Sequence, residues 1–541
     1  MLFKRLLGAV MAMGAVASFA FTPTAHAFTG TAVGTVTETD ALYIGGATAT
    51  DPALRNLMLL SGGLCVNNDA SLGRDNNPST TNDIDVYENN SDPDVVGWAE
   101  LLVTCRHLTS NHLVWMFKFA GGSGTGTTDL ATEVVHLAIT WPPSGCTDGT
   151  YNAGAIPGFA NLKFTLHTGC ATSNHVLDSG IADVEARLLR PFTDQPKLNQ
   201  RPLAQVTFAP IVGLKLYRAL QKAQGLDDTS DNEANTPSLS WSTLTGIFKG
   251  TITNWTQLNN ASGTALPSVS GVVTPSSTRL FVCMRNDTSG TQALFRESFT
   301  KEKCAPGTST AGTANTGVIK ATGTFNSANS SCQATGCAWS QATFFGSPPN
   351  FTSGERVIAN TTSTSVFQCV DGINAINAWS MGISSTDQSH TAQASDADDW
   401  RYIGIDGKPS TLRYYITGNQ RLYSENNFAI IDSAASVTDP NAKVVAGNAD
   451  ATIADEIVAK LGSESVIKAV NAGFFFDQGH FGLLAAPSAS LLPNPGTGTE
   501  ADADLHPTNT TRKSSLTTIN NCNDAGAVSN NSKAFLKGQG Q

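Results

Sequence analysis

Thr278-Arg279-Leu280-Phe281-Val282-Cys283-Met284-Arg285-Asn286-Asp287-Thr288-Ser289-Gly290-Thr291-Gln292 is the most informative stretch of the chain. Its first half, up to Cys283, is apolar and β-prone, which predicts a buried strand. From Thr291 to Phe299 the apolar residues fall at helical spacing, which predicts a helix. Arg285 to Thr291 is therefore a strand-to-helix loop. Gly290 allows a tight backbone there, and Ser289 and Thr291 supply hydroxyls. The first N–H groups of the helix have no partner within it, so they are open to an anion. Arg285 adds a planar fork of donors that suits a tetrahedral oxyanion, and Asp287 stands close enough in sequence to orient that fork. A capped helix start beside a surface ion pair is the plainer alternative, and this stretch alone leaves both open.

The same arrangement recurs upstream. Ala41-Leu42-Tyr43-Ile44 reads as a short strand that runs through Gly45, Gly46, Ala47, Thr48 and Ala49 into a helix, with Pro52 suited to its first turn. Leu113 to Phe119 reads as a second strand, followed by Gly121-Gly122-Ser123-Gly124-Thr125-Gly126-Thr127 and a helix from about Thr128. Strands that alternate with helices predict an α/β protein with largely parallel sheets. Asp183 lies in a short apolar stretch, Asp178 to Val184, where a helix-capping role is the plain expectation. Val206 to Gly213 is apolar and reads as a strand crossing between two lobes. Helices are predicted after Leu214, from about Ser240, over Val366–Trp379, and from about Thr452 to Val470 with a break near Gly462. Trp400–Gly407 and Arg413–Ile416 read as strands. Residues 62–111 read largely as an insertion, 305–350 as variable loops, and the tail from 487 as low in apolar content.

Composition bounds the function. The chain has 541 residues, a formal net charge of −11 and only 14% charged residues. An acidic chain is a poor general binder of nucleic acid, which rests on Lys and Arg. Any anion site must then work through local donors rather than a positive field. The first residues carry Lys4 and Arg5, then an apolar run, then Ala25-His26-Ala27, the pattern of a secretory signal peptide cleaved after Ala27. The run is too short for a membrane anchor, so the expectation is an exported, unanchored protein, periplasmic or secreted. All ten cysteines lie after this segment, which argues for disulfides, with sequential pairing the expectation.

Three junctions with small and hydroxyl residues at a helix start would converge at the carboxyl ends of the strands, where open α/β sheets bind ligands. Gly46-Ala47-Thr48, Gly122-Ser123-Gly124, Asp183 and Arg285-x-Asp287-x-Ser289-Gly290-Thr291, in that order, resemble the periplasmic phosphate-binding proteins of ABC transporters. Leu244 to Gly250, Thr253-Asn254-Trp255 and Ile405-Asp406-Gly407 fit the same pattern. The resemblance covers roughly residues 40–60, 112–130, 175–300 and 360–430.

The resemblance implies a two-lobed fold of type II periplasmic-binding-protein topology, each lobe a mostly parallel sheet flanked by helices, closing on inorganic phosphate or a related oxyanion. It implies lobe 1 over 28–205 and 396–486 and lobe 2 over 206–395. It implies a site of Thr48, Ala49, Ser123, Asp183, Arg285, Ser289, Gly290 and Thr291, with Asp183 as acceptor of the ligand's proton. Asp287, Gly46 and Gly122 would support it, no cofactor or metal would be needed, and an ABC-transporter permease would be the partner. The chain departs from the family's Thr-Phe-Pro at the first loop, where it has Thr48-Ala49-Thr50-Asp51-Pro52. Insertions and tail leave room for a surface or matrix role instead. A phosphatase on the same scaffold is a third reading, although H-E-x-x-H and G-x-S-x-G are absent and the nine histidines show no ligand spacing.

Overall fold

The computed structural model describes residues 41–59, 63–65, 85–88, 101–106, 113–119, 121–140, 143–152, 163–189, 197–300, 323–324, 356–360, 363–386, 400–411, 414–415, 420, 422–431, 449–461 and 483–484. In chain order the strands and helices begin with β1 (Ala41–Gly46), α1 (Asp51–Leu59), β2 (Asp85–Glu88), β3 (Leu101–Arg106) and β4 (Leu113–Lys118). Next come β5 (His136–Ile139), β6 (Thr147–Asn152), β7 (Lys163–Thr168), β8 (Thr172–His175), β9 (Ser179–Ala182) and the long β10 (Leu198–Gly213). After these follow α2 (Leu214–Gln224), β11 (Ser238–Leu239), α3 (Trp241–Phe248), β12 (Phe281–Arg285), α4 (Gly290–Phe295) and β13 (Gly323–Thr324). The remainder is β14 (Arg356–Asn360), α5 (Ser363–Ala375), β15 (Ser380–Ser385), β16 (Trp400–Tyr402), β17 (Gly404–Ile405), β18 (Tyr423–Ile431), α6 (Ala449–Leu461) and β19 (Leu483–Leu484).

Two trios of parallel strands carry the architecture. β1 sits between β4 and β9, parallel to both, and β12 sits between β14 and β15, parallel to both. Each trio is flanked by one antiparallel strand next to its third member: β18 beside β9, and β10 beside β15. The chain thus builds one strand pattern twice, and both patterns point the carboxyl ends of their parallel strands at loops. β10 joins them. Its first part pairs with β18 and its later part, Phe208–Val212, pairs with β15, so one continuous sheet path runs through both trios. The apolar Val206–Gly213 run is the expected crossing strand.

The packing follows from side-chain type. β4 alternates Trp115 and Phe117 against Tyr43, Phe119 and Leu102 on one face and presents Val114 and Met116 to the main core on the other. That two-sided burial is what a parallel sheet covered on both faces requires. Burying a Phe side chain of this kind contributes roughly 1.5–3 kcal/mol. Phe248 of α3 meets Phe295 of α4 at a centroid distance of 4.2 Å and Phe299 at 5.0 Å, which seats the helix that leaves the β12 loop.

Several expectations need correction. The 62–111 stretch read as an insertion supplies β2 and β3, and β3 extends the first trio as the antiparallel neighbour of β4. Trp400–Tyr402 pairs with Ile211–Gly213 and β17 with β11, so this stretch packs with the second trio and not with the first lobe assigned to residues 396–486. Tyr414 and Tyr415 are helical, not extended. Cys65–Cys105 and Cys146–Cys170 follow sequential pairing, but Cys283 pairs with Cys369, not Cys304. The reason is topological: Cys283 on β12 and Cys369 on α5 face each other in one apolar cluster, with Cα atoms 6.0 Å apart. The signal segment, the 305–350 loops apart from β13, the helix beyond Leu461 and the tail from 487 lie outside the described residues.

Cys283→Ser should cost about 2–4 kcal/mol by releasing an 86-residue separation. Mass-spectrometric mapping of the unreduced protein should recover a Cys283–Cys369 peptide, and a Cys283–Cys304 peptide would contradict this pairing.

Candidate functional site

Every loop of interest leaves the carboxyl end of a trio strand. At the first, Gly46 takes φ 116°, a left-handed value that glycine tolerates. A Cβ there would stand 1.9 Å from the Ile181 carbonyl oxygen, and the Ala47 N–H donates to that same oxygen at 2.8 Å. The loop after β1 is thereby laid against the end of β9. Beyond it, Ala49 and Thr50 are buried while Thr48 is exposed. Thr50 Oγ1 is fully enclosed and has no hydrogen-bond partner among the described residues. The expected hydroxyl at Thr48 thus lies at the surface, and Thr50, two residues before Pro52, is the enclosed one.

The second loop brings Ser123 to the same place. Its Oγ accepts the backbone N–H of Asp183 at 2.9 Å and donates to Asp183 Oδ2 at 3.3 Å. Thr127 Oγ1 donates to the Ser123 carbonyl at 2.8 Å and closes the turn. Asp183 stands just past β9 and is buried, with Asn426 Nδ2 donating to Oδ1 at 3.5 Å. Asn427 Nδ2 donates to the flanking Val184 carbonyl at 2.5 Å, so β18 holds both the Asp183 carboxylate and the backbone beside it. Asp183 is a strand-end residue and not the helix cap that its local sequence suggests.

The third loop comes from the other trio. Arg285 ends β12, is buried, and donates from Nη1 to Ser363 Oγ at 2.8 Å. Burial pulls its guanidinium below the ordinary value, to about 10, and the nearby Asp183 carboxylate partly offsets that pull. Asp287 does not hold Arg285. Its carboxylate accepts from Arg296 Nη1 at 2.5 Å, just past the end of α4. Ser363, the first residue of α5, takes the orienting role, which sequence spacing could not reveal. Asn360 Nδ2 donates to the Met284 and Ile358 carbonyls at 3.0 Å each, and the Asn286 N–H donates to the Asn360 carbonyl, so β14 braces the Arg285 loop. Ser289 caps α4, its Oγ accepting from the Gln292 N–H at 3.5 Å, and Gly290 and Thr291 are buried in the first turn.

The two trios meet at these loops. The Gly124 N–H donates to the Thr288 carbonyl at 2.9 Å. A Cβ on Gly290 would stand 2.3 Å from Ser123 Oγ and 2.7 Å from Asp183 Cβ, and one on Gly122 would stand 3.6 Å from Arg285 Nη2. Ser123, Asp183, Arg285, Ser289, Gly290 and Gly122 are therefore in one place, with Gly46 and Thr50 on the loop beside them. Chemically the cluster combines one buried cation, one carboxylate acceptor, hydroxyls and helix-start N–H groups, a donor-rich surround for a partly protonated oxyanion. Sequence reasoning misses one further buried group: Lys118, at the end of β4, whose Nζ is 3.2 Å from Asp51 Oδ1. A lysine in the otherwise apolar Leu113–Phe119 run is its signal. A separate cavity of about 650 Å³, bordered by Gln224, Leu226, Thr236 and Tyr414, involves none of these residues. Among the described residues no group of three or more His, Cys, Asp or Glu could hold a metal ion, and no helix is long and apolar enough to cross a membrane.

Residues 183–404 match the family model described as PBP superfamily domain. No curated protein matches the chain. Among solved structures, the chain is similar to a protein described as a phosphate ABC transporter substrate-binding protein from Clostridium perfringens, solved with bound phosphate, at 12% identity and a TM-score of 0.33, covering 80% of this chain and 98% of that one. It is also similar to an ABC-type phosphate transport receptor from Vibrio cholerae, at 16% identity and a TM-score of 0.27, covering 56% of this chain and 80% of that one. A third similar structure is PstS from Borrelia burgdorferi, at 10% identity and a TM-score of 0.30, covering 81% and 98%.

Gly290→Ala should prevent the close approach of α4 to Ser123 and Asp183, because the added methyl meets buried atoms from the opposite trio. The expected cost is about 1–3 kcal/mol in thermal unfolding. A variant as stable as the parent would contradict this contact.

Proposed function

We propose that the protein is an exported solute-binding protein that captures inorganic phosphate, or a closely related tetrahedral oxyanion, between its two trios and delivers it to an ABC-transporter permease. The observation that carries this reading is a buried Arg285 guanidinium beside Asp183, Ser123 and the first turn of α4. Burial makes that cation costly, and Asp183 offsets the cost only in part. A ligand carrying two negative charges would offset more of it.

Each group has a part. Arg285, held by Ser363, supplies the charge-assisted bonds. Ser123, Ser289, Thr291 and the N–H groups of Ala49 and Gly290 supply further donors, and Thr50 replaces Thr48 as the enclosed hydroxyl of the first loop. Asp183 accepts the proton that hydrogen phosphate still bears. A carboxylate can only accept, so it repels sulfate, which has no proton to give at neutral pH. An acidic chain suits this mechanism because the donors act at contact distance and not through a long-range field. The signal-like first 27 residues support export, and the binding-protein fold supports capture rather than turnover.

Isothermal titration with phosphate, arsenate and sulfate is the direct test. Phosphate and arsenate should bind and sulfate should not; a folded sample with no phosphate heat at micromolar protein would overturn the reading. Arg285→Ala should abolish binding, and tight residual binding would move the site elsewhere. Asp183→Asn should narrow the gap between phosphate and sulfate. Phosphate affinity should also fall as pH rises through about 10, where Arg285 loses its proton. The sign for folding is opposite. A base with a lowered folded pKa costs stability at all pH below about 10, and that cost is relieved as pH climbs from there toward the ordinary guanidinium range.

A further inference from the structure

Lys118 is the buried charge that the phosphate reading does not use. Its side chain is 3% exposed and that of Asp51 is 1% exposed. Nζ donates to the Gly46 carbonyl at 2.9 Å and to the Phe119 carbonyl at 3.0 Å, and it lies 3.2 Å from Asp51 Oδ1. An ammonium has three N–H donors, so each has an acceptor. Two of those acceptors, Gly46 and Asp51, bracket the first loop, and the third, Phe119, opens the second. Asp51 is also the first residue of α1, whose N-terminus follows the Thr48–Thr50 turn. A carboxylate there suits the helix dipole, yet it would oppose an anion held by the same turn.

We infer that Lys118 is a positioning residue that ties the first anion loop to the second and cancels the charge of Asp51, so that an aspartate can stand beside the anion site. This inference rests on the phosphate reading for its ligand, while the tie between the loops stands on the geometry alone. Two consequences differ in sign. Removing Lys118 takes away the ammonium that faces Asp51; removing the Asp51 charge leaves that ammonium on the Gly46 and Phe119 carbonyls, with its charge next to the ligand. A purely structural pair would make both losses harmful to binding. A charge-cancelling strut makes only the first harmful.

The test uses Lys118→Met, Asp51→Asn and the double variant in the mature, oxidised protein, with phosphate titrated at low ionic strength. Lys118→Met should lose phosphate affinity by about tenfold or more, the size expected for the loss of one positive charge near an anion at an effective dielectric constant of about 20. Asp51→Asn should bind more tightly than the parent, with the gain shrinking as salt is added. The double variant should lie between the two. If Lys118→Met does not fold, Asp51→Asn still decides: weaker binding than the parent overturns the inference.

A second readout needs no ligand. In hydrogen–deuterium exchange, Lys118→Met, or the double variant where the single one does not fold, should raise exchange in both the 46–51 and 119–124 segments, because both lose the Lys118 bonds to Gly46 and Phe119. Faster exchange in one segment alone would overturn the strut. A parent protein that binds no phosphate would sink the functional reading, and the exchange result would then decide by itself whether Lys118 ties the two loops.

Discussion

The contact between Ser123, Asp183 and Gly290 governs how the site is assembled. Ser123 Oγ both accepts from the Asp183 backbone and donates to its carboxylate, so a strand end and a loop of the first trio are locked together. Against that pair lies the first turn of α4 from the second trio, with no room for a Cβ at position 290. The helix start, the hydroxyl and the carboxylate can share one small volume only because residue 290 is glycine. β10 makes the encounter possible, since one strand hydrogen-bonds to β18 along its first part and to β15 along its later part.

The charges follow the same local logic. In a chain of net charge −11, the cations around the site are buried and individually partnered. Arg285 is steered by Ser363 and faces Asp183, Arg296 is taken by Asp287, and Lys118 is taken by Asp51. Burial makes each of these charges costly alone and strongly felt by its neighbours. The result is a site whose sign is set by a few atoms at contact distance, whatever the surface carries.

Much of the fold is legible in the sequence, because burial imposes patterns that a chain must obey. Leu113–Phe117 and Phe281–Cys283 are apolar without alternation, as strands covered on both faces must be, and both lie in strands. Ser289-Gly290-Thr291 reads as a helix start, and α4 begins at Gly290. Strands inside a polar stretch are the weak point. β2 and β3 lie in an Asn- and Asp-rich stretch, and pairing identifies them as sheet: β3 with β4, and β2 with β3 and β7. Thr48 and Thr50 are one chemical type two residues apart, and which one is enclosed depends on the path of the turn.

Spacing and residue type, read along the chain, are enough for the alternation of strand, tight loop and helix, for singling out Arg285, Ser123, Asp183 and Gly290, and for the match to a binding-protein domain over residues 183–404. These are local properties, so they survive without any knowledge of the fold. The partners are different. Ser363 and not Asp287 meets Arg285, Cys369 and not Cys304 meets Cys283, Lys118 meets Asp51, and Asp183 follows the end of β9 instead of capping a helix. The three pairs join residues far apart in the chain, and which distant groups meet is set by strand order and packing, which no local spacing encodes.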